Sequence, residues 1–272
     1  MRVLRFELYR AFHSRAFFVS LMIGLIICAA DMIAFCLKIR IDENYANYTM
    51  YMVQAWIGTD YLFVYNELFY ELLPLIACLP YGGSLFSDMK TGYDKNICVK
   101  ASRTKYILSK GIATFLTAFA GVAIPLGLNM TVAAGLYPDF YPDLLESMVG
   151  AGFMNRYLFS ELYSIDPALY CLAFLLVDSF FAGVIALTSL GISRFVKSNF
   201  TAVATPMVIY IFLSMLLFRP EDAGFSNWSI EYMLNPNPVV TTAWYQILIA
   251  FVLILTVNAV AIGLFSRRRD VL

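Results

Sequence analysis

Apolar residues in this chain come in long unbroken runs rather than in stripes. Six stretches, at about 17–37, 66–87, 107–128, 168–190, 200–218 and 243–265, carry almost no polar face at helical or strand spacing. Each is close to the ~20 residues that a helix needs to cross the hydrocarbon core of a bilayer. The pattern predicts an all-α integral membrane fold, a single transmembrane domain over 1–272 with six transmembrane helices. The second stretch is the least regular. Glu67 and Glu71 fall in its first turns, and Pro74 and Pro80 interrupt "LLPLIACLPYGGSLF". Such prolines are tolerated in a span when neighbouring helices satisfy the freed backbone groups.

Two polar stretches have a pattern of their own. In "MRVLRFELYRAFHSRAFF", Leu4, Leu8, Ala11 and Phe12 share one helical face, with Arg2, Arg10 and His13 roughly opposite. This predicts an amphipathic interfacial helix leading into the first span. A cytoplasmic extension of that span is the simpler alternative. The apolar run that follows is longer than the 7–15 residues of a secretory signal core, so it is read as a retained span.

The second polar stretch, "SDMKTGYDKNICVKASRTKYILSKG" (Ser87–Gly111), lies between the second and third spans. Thr91 is placed to cap a short helix, with Asp94 three residues on. Tyr93, Ile97 and Ala101 then share a face, and Ser102 is placed to cap the third span. The expected element is a short helix held beneath the membrane. It can dock on a soluble partner, or its lysines can simply hold topology and touch anionic lipid.

Charge supports an even number of spans. With both termini on one side, that side holds 15 of the 19 Lys/Arg and only four of the 19 acids, Glu7, Asp88, Asp94 and Asp270. The other side keeps Lys38, Arg40, Arg156 and Arg219. By the positive-inside rule both termini are cytoplasmic. Composition agrees: 61% of the 272 residues are hydrophobic and 14% charged, against about 45–50% and 25% in soluble domains. The segments assigned outside, 38–65, 129–167 and 219–242, are rich in aromatic residues. These suit membrane-interface anchoring or a substrate vestibule.

Little catalytic chemistry is visible. Five scattered cysteines form no CxxC and there is one histidine, so no zinc spacing exists. No GxxxxGK[ST], HExxH, GxSxG or GxGxxG occurs. No catalytic residue and no metal site is expected, and nothing points to nucleic acid. Energy for any active transport must come from another polypeptide. Within the spans, Asp31, Asp178 and Asn258 are the polar residues of interest, because intramembrane carboxylates are costly and face other helices or a wet cavity. The bland roles for all three are helix-packing hydrogen bonds.

The chain resembles the membrane subunits of ABC-2 type transporters. The likeness rests on the amphipathic N-terminus, the six spans, the long connection before the sixth span with "NPNP" at Asn235–Pro238, and "LPYGGSLFSDMKTGYDKNICVKASRTKYILSKGI" at Leu79–Ile112. In that stretch a small-residue helix end meets an Asp, a Gly-Tyr and a Ser-Arg-x-x-Tyr. The resemblance implies the permease half of an ATP-driven exporter, paired with a second permease as homodimer or heterodimer and resting on a separate P-loop ATPase that holds ATP and Mg. It implies ATPase contact through Asp88, Thr91, Gly92, Tyr93, Lys95, Ile97, Arg103 and Tyr106. It also implies a translocation path lined mainly by the second and fifth spans, with Pro74, Pro80 and Pro206 at bends, in a bacterial plasma membrane. A peptide such as a lantibiotic, a drug or a lipid-like compound is the implied cargo. The competing reading is an ATPase-independent secondary transporter or channel, which calls for more intramembrane ionisable groups or an internal repeat.

Overall fold

A computed structural model describes residues 2–41, 50–59, 64–99, 101–139, 158–218, 227–236 and 242–267. All regular structure among the described residues is helical. Five helices are long and apolar enough to cross a membrane: α2 (Arg15–Ile41), α7 (Arg103–Leu136), α9 (Pro167–Ile192), α10 (Asn199–Leu217) and α12 (Trp244–Arg267). They coincide with the first, third, fourth, fifth and sixth expected spans. The chain is a multi-pass membrane protein in its architecture.

The second expected span is different. Instead of one helix over 66–87, the chain forms α4 (Val64–Cys78), a tight break at 79–83, and α5 (Ser84–Thr91). Pro74 is accommodated inside α4, whereas Pro80 and the two glycines after it end the helix. A Cβ on Gly82 would lie 2.4 Å from both the Cys78 carbonyl oxygen and Ser189 Oγ, and one on Gly83 would lie 1.9 Å from Asn199 Oδ1. The break therefore sits where the chain passes directly against the ends of α9 and α10, and only glycine fits.

α4 is short but central, touching α2, α7, α9 and α10. Its inward residues, including Phe69, Tyr70, Leu73 and Ile76, are fully buried. α9 is the most enclosed span and α12 the least: 61% against 11% of their most apolar windows is buried. Apolar side chains gain little by leaving lipid for protein, so contacts between spans depend on close packing and on hydrogen bonds. Ser20 Oγ donates to Ile76 O at 2.6 Å, Asn129 Nδ2 to Cys28 O at 3.1 Å and Asn258 Nδ2 to Val184 O at 2.9 Å.

At the end of the bundle away from α1, residues 51–59 with α3 (Met52–Ala55) tuck between the helices. Non-helical backbone at this depth must find partners within the protein. Asparagines supply them. Ile57 N donates to Asn129 Oδ1, Asn66 Nδ2 donates to the carbonyls of Ile57 and Gly58, and Asn235 Nδ2 donates to Asn66 Oδ1. Parts of the other aromatic-rich segments, at 140–157 and 219–226, and the second half of "NPNP" lie outside the described residues.

Candidate functional site: a buried charge network at the basic end

The N-terminal helix α1 (Arg2–Phe12) is separate from α2, with the chain breaking at His13–Ser14. Ser14 makes the corner. Its Oγ accepts from Phe17 N at 3.1 Å, capping α2, and donates to Pro80 O at 3.1 Å. The corner before α2 is thus tied to the break after α4. α1 lies along the start of α7. Leu4 and Leu8 are half-buried and Ala11 buried, as the sequence pattern predicts. Arg10 differs from the expectation: it turns inward, because a carboxylate awaits it.

That carboxylate is Asp88, brought in by α5. Arg10 holds it with both arms, Nη2 to Oδ1 at 3.0 Å and Nη1 to Oδ2 at 3.3 Å. Lys110, from the first turns of α7, makes a close ion pair with Asp88 Oδ2 and reaches Glu7 Oε2 at 3.3 Å. Arg10 Nη1 is 3.5 Å from Glu7 Oε1. Two phenols complete the set: Tyr81 Oη donates to Glu7 Oε2 and Tyr106 Oη to Asp88 Oδ2, each at 2.6 Å. Glu7 and Lys110 are fully buried, and Asp88 nearly so.

Two acids and two bases share this space, so no net charge is buried. An isolated ion here would carry a desolvation penalty of several kcal/mol, which is offset only when the partners are close and the remaining lone pairs are filled. Here they are. The ammonium of Lys110 also stands 5.1 Å from the Tyr81 ring centre and 5.2 Å from that of Tyr106. Leu85, Ile107, Leu190 and Ile262 close the apolar side of the site. The Arg10 guanidinium lies 4.9 Å from the ring centre of Tyr93, at the start of α6 (Tyr93–Cys98).

The acid–base balance follows. Burial alone would raise the Asp88 carboxyl, but the hydrogen bond from Arg10, the charge and hydrogen bond of Lys110, and the Tyr106 hydroxyl outweigh it, so its pKa lies below the usual carboxylate value. Burial alone would weaken the Arg10 guanidinium's hold on its proton, yet the Asp88 hydrogen bond and the neighbouring anions reverse this and raise it. Burial, then the Glu7 charge and hydrogen bond, push the Tyr81 phenol upward. The Arg10–Asp88 pair stays charged and the Tyr81 phenol stays a donor over any ordinary pH. The network is a clamp joining α1, α5 and α7.

The residues singled out from sequence divide around it. Asp88 and Tyr106 point into the clamp. Thr91 is exposed and closes α5, its hydroxyl donating to Ser87 O at 2.9 Å, instead of capping the next helix. Gly92 makes the junction of α5 and α6 in the left-handed region at φ 71°, which is why α6 turns away from α5. Tyr93 and Ile97 are half-buried, as is Arg103 at the start of α7, while Lys95 is exposed. Ser102 does occupy the cap position of α7, through its backbone geometry alone. Of the intramembrane residues, Asn258 bonds the α9 backbone and Asp31 is fully buried on α2, one turn from Cys28. Asp178 on α9 accepts from Tyr70 Oη at 3.0 Å.

Sequence reasoning missed Glu7, Arg10, Tyr81 and Lys110 as members of one site. Two signals were present. Glu7 is the only acid in the first 30 residues, and Lys110 falls inside the third apolar stretch, one turn after Tyr106. Pairing them across 103 residues required the fold. No protein-family model, characterised protein or solved structure matches this chain.

Proposed function

We propose that the chain is the permease subunit of an ABC-2 type exporter, working as a homodimer or heterodimer and driven by a separate P-loop ATPase that binds ATP and Mg. One observation carries this reading. α6 projects at the basic end with Lys95, Asn96, Cys98 and Val99 exposed, and α5 behind it is clamped to α1 and α7. A partner pushing on α6 would move a span directly, without first unfolding anything. The positive-inside rule makes this end cytoplasmic, where ATP is available. In this reading the partner meets Thr91, Lys95 and the outer edges of Gly92, Tyr93, Ile97 and Arg103, while Asp88 and Tyr106 transmit the motion from within. The open faces of α10 and α12 leave room for the second permease. The cargo is a peptide, drug or lipid-like compound leaving a bacterial cell.

The test is reconstitution of the full chain with its ATPase in lipid vesicles. The pair hydrolyses ATP faster than the ATPase alone, and Lys95→Glu on the exposed face of α6 uncouples them while leaving the melting temperature of the isolated chain unchanged. ATP hydrolysis indifferent to this subunit would sink the proposal.

A further inference from the structure

At mid-bundle, α4, α9 and α10 bring together one carboxylate and two phenols. Tyr70 Oη donates to Asp178 Oδ2 at 3.0 Å. Asp178 Oδ1 has no hydrogen-bond partner among the described residues, and neither has Tyr210 Oη. Asp178 and Tyr70 are fully buried, and Tyr210 is 3% exposed. The Tyr210 hydroxyl is buried and feels the charges of Glu231, Asp178 and Glu71. Glu231 begins the short helix α11 (Ile230–Leu234), where its backbone N–H meets Ser214 Oγ, one turn beyond Tyr210 on α10. Glu67 and Glu71 are exposed at the start of α4. The groups descend from the surface at the end opposite the clamp down to Asp178.

We propose that Asp178 is a proton-binding site, loaded from that end of the bundle through Glu231 and Tyr210. The donor set selects the ligand. One carboxylate and two phenols supply too few oxygens for the six or more that calcium takes or the octahedron that magnesium demands. A proton needs only one acceptor, and a neutral carboxylic acid is the form that apolar surroundings favour. Neither Tyr210 Oη nor Asp178 Oδ1 has a hydrogen-bond partner among the described residues, so water must join them for transfer: the protonated Glu231 carboxyl then gives up its proton toward the Tyr210 oxygen as that hydroxyl's own proton passes on to Asp178 Oδ1. Glu231 is left ionised, Asp178 neutral and Tyr210 unchanged. Glu231 suits the role, since half-burial and then the charges of Glu71 and Glu67 raise its carboxyl pKa.

Of the other titratable groups, those nearest this depth are the buried Cys28 and Asp31 of α2, which packs against α4. α9 itself adds only Tyr170 and Cys171, toward its first turns, and α10 only Tyr210. α4 adds Tyr65, Glu67 and Glu71 at its outer turns and Cys78 at its last. α7 beyond Lys110 has none, and the described side chains of α12 include only Tyr245, at its start. Those of α5 lie at the basic end, α3 has none, and α8 (Ser160–Ile165) and α11 bring Glu161, Tyr163, Glu231 and Tyr232 at the far end.

Infrared spectroscopy on the full chain in lipid nanodiscs tests this without reference to transport. The carboxylic C=O band lost in Asp178→Asn identifies the protonated acid, and its shift on transfer to heavy water reports exchange. The expected result is a band that shifts readily in the wild type and about a hundredfold more slowly in Tyr210→Phe. Tyr70→Phe moves the band's frequency without slowing its shift. Glu231→Gln is the second variant, expected to slow exchange even if Tyr210→Phe folds poorly. Absence of a protonated Asp178 band, or equal exchange rates in Tyr210→Phe, Glu231→Gln and wild type, would overturn the proposal.

Discussion

Asp88 and Asp178 are both buried aspartates in helices of one chain, yet their surroundings are opposites. Asp88 has Arg10, Lys110 and Tyr106 around its two oxygens and lies in a cluster of balanced charge. Asp178 has one phenol on one oxygen and, among the described residues, no cation as a hydrogen-bonding or ion-pairing partner. Full compensation fixes a charge in place and makes the surrounding helices one body. Partial compensation leaves the proton as the species that sets the energy. One aspartate is therefore suited to mechanical connection and the other to reversible chemistry.

The comparison is most severely tested at Lys110. Lys110→Met leaves Glu7 and Asp88 facing each other with Arg10 alone, and loss of one member of a buried ion network costs ~3–5 kcal/mol. Thermal unfolding in nanodiscs reads this as a large drop in melting temperature, and combining it with Glu7→Gln restores part of the loss because the second substitution removes the stranded charge. Next comes Tyr106→Phe, which deletes a 2.6 Å donor to a charged oxygen. Hydrogen bonds to charged groups contribute ~1.5–3 kcal/mol, and that is the expected loss. An effect no larger than that of a surface substitution would show that Asp88 does not depend on its full set of partners.

Acid provides a third test, with a definite sign. The folded carboxyl of Asp88 is depressed below its unfolded value of about 3.9, so its contribution is fully present above that value and lost as pH falls through the lower folded pKa. Arg10 is raised, so its contribution is fully present below its ordinary value and is lost only at extreme alkalinity. The clamp should hold α1 against α7 at neutral pH and release it in strong acid. Distance measurements between spin labels on exposed Tyr9 and exposed Leu108 report the release, and labels that keep their separation into strong acid would contradict it.

These features were unequally legible in the sequence. Five spans were readable because a continuous apolar run of the right length has one physical outcome in a bilayer. The second stretch was misleading because Pro80, Gly82 and Gly83 act through neighbours remote in sequence, the ends of α9 and α10. Asp178 stood out by its apolar context, since a carboxylate within a span is conspicuous. The clamp was camouflaged. Arg10 and Lys110 sit among many basic residues that set topology, and the apolar context of Lys110 marks it as unusual without showing which acids it meets. Amphipathic patterning assigned Arg10 to the polar face of α1, and the Asp88 carboxylate overrode it.

The smallest effect is the one that sharpens the contrast most. Asp178→Asn keeps the shape of the side chain and an oxygen for the Tyr70 hydroxyl, and it strands no cation. Its expected cost in stability is within ~1 kcal/mol, near the net value of one ordinary hydrogen bond. Asp88→Asn, the same change of one atom, removes the counter-charge from both Arg10 and Lys110 and should cost several times more. Melting temperatures of the two variants, measured side by side in the same nanodiscs, decide between these assignments. If Asp178→Asn proves as destabilising as Asp88→Asn, then Asp178 is held as an ion by partners it depends on, and mechanical and protonic roles would no longer divide between the two aspartates.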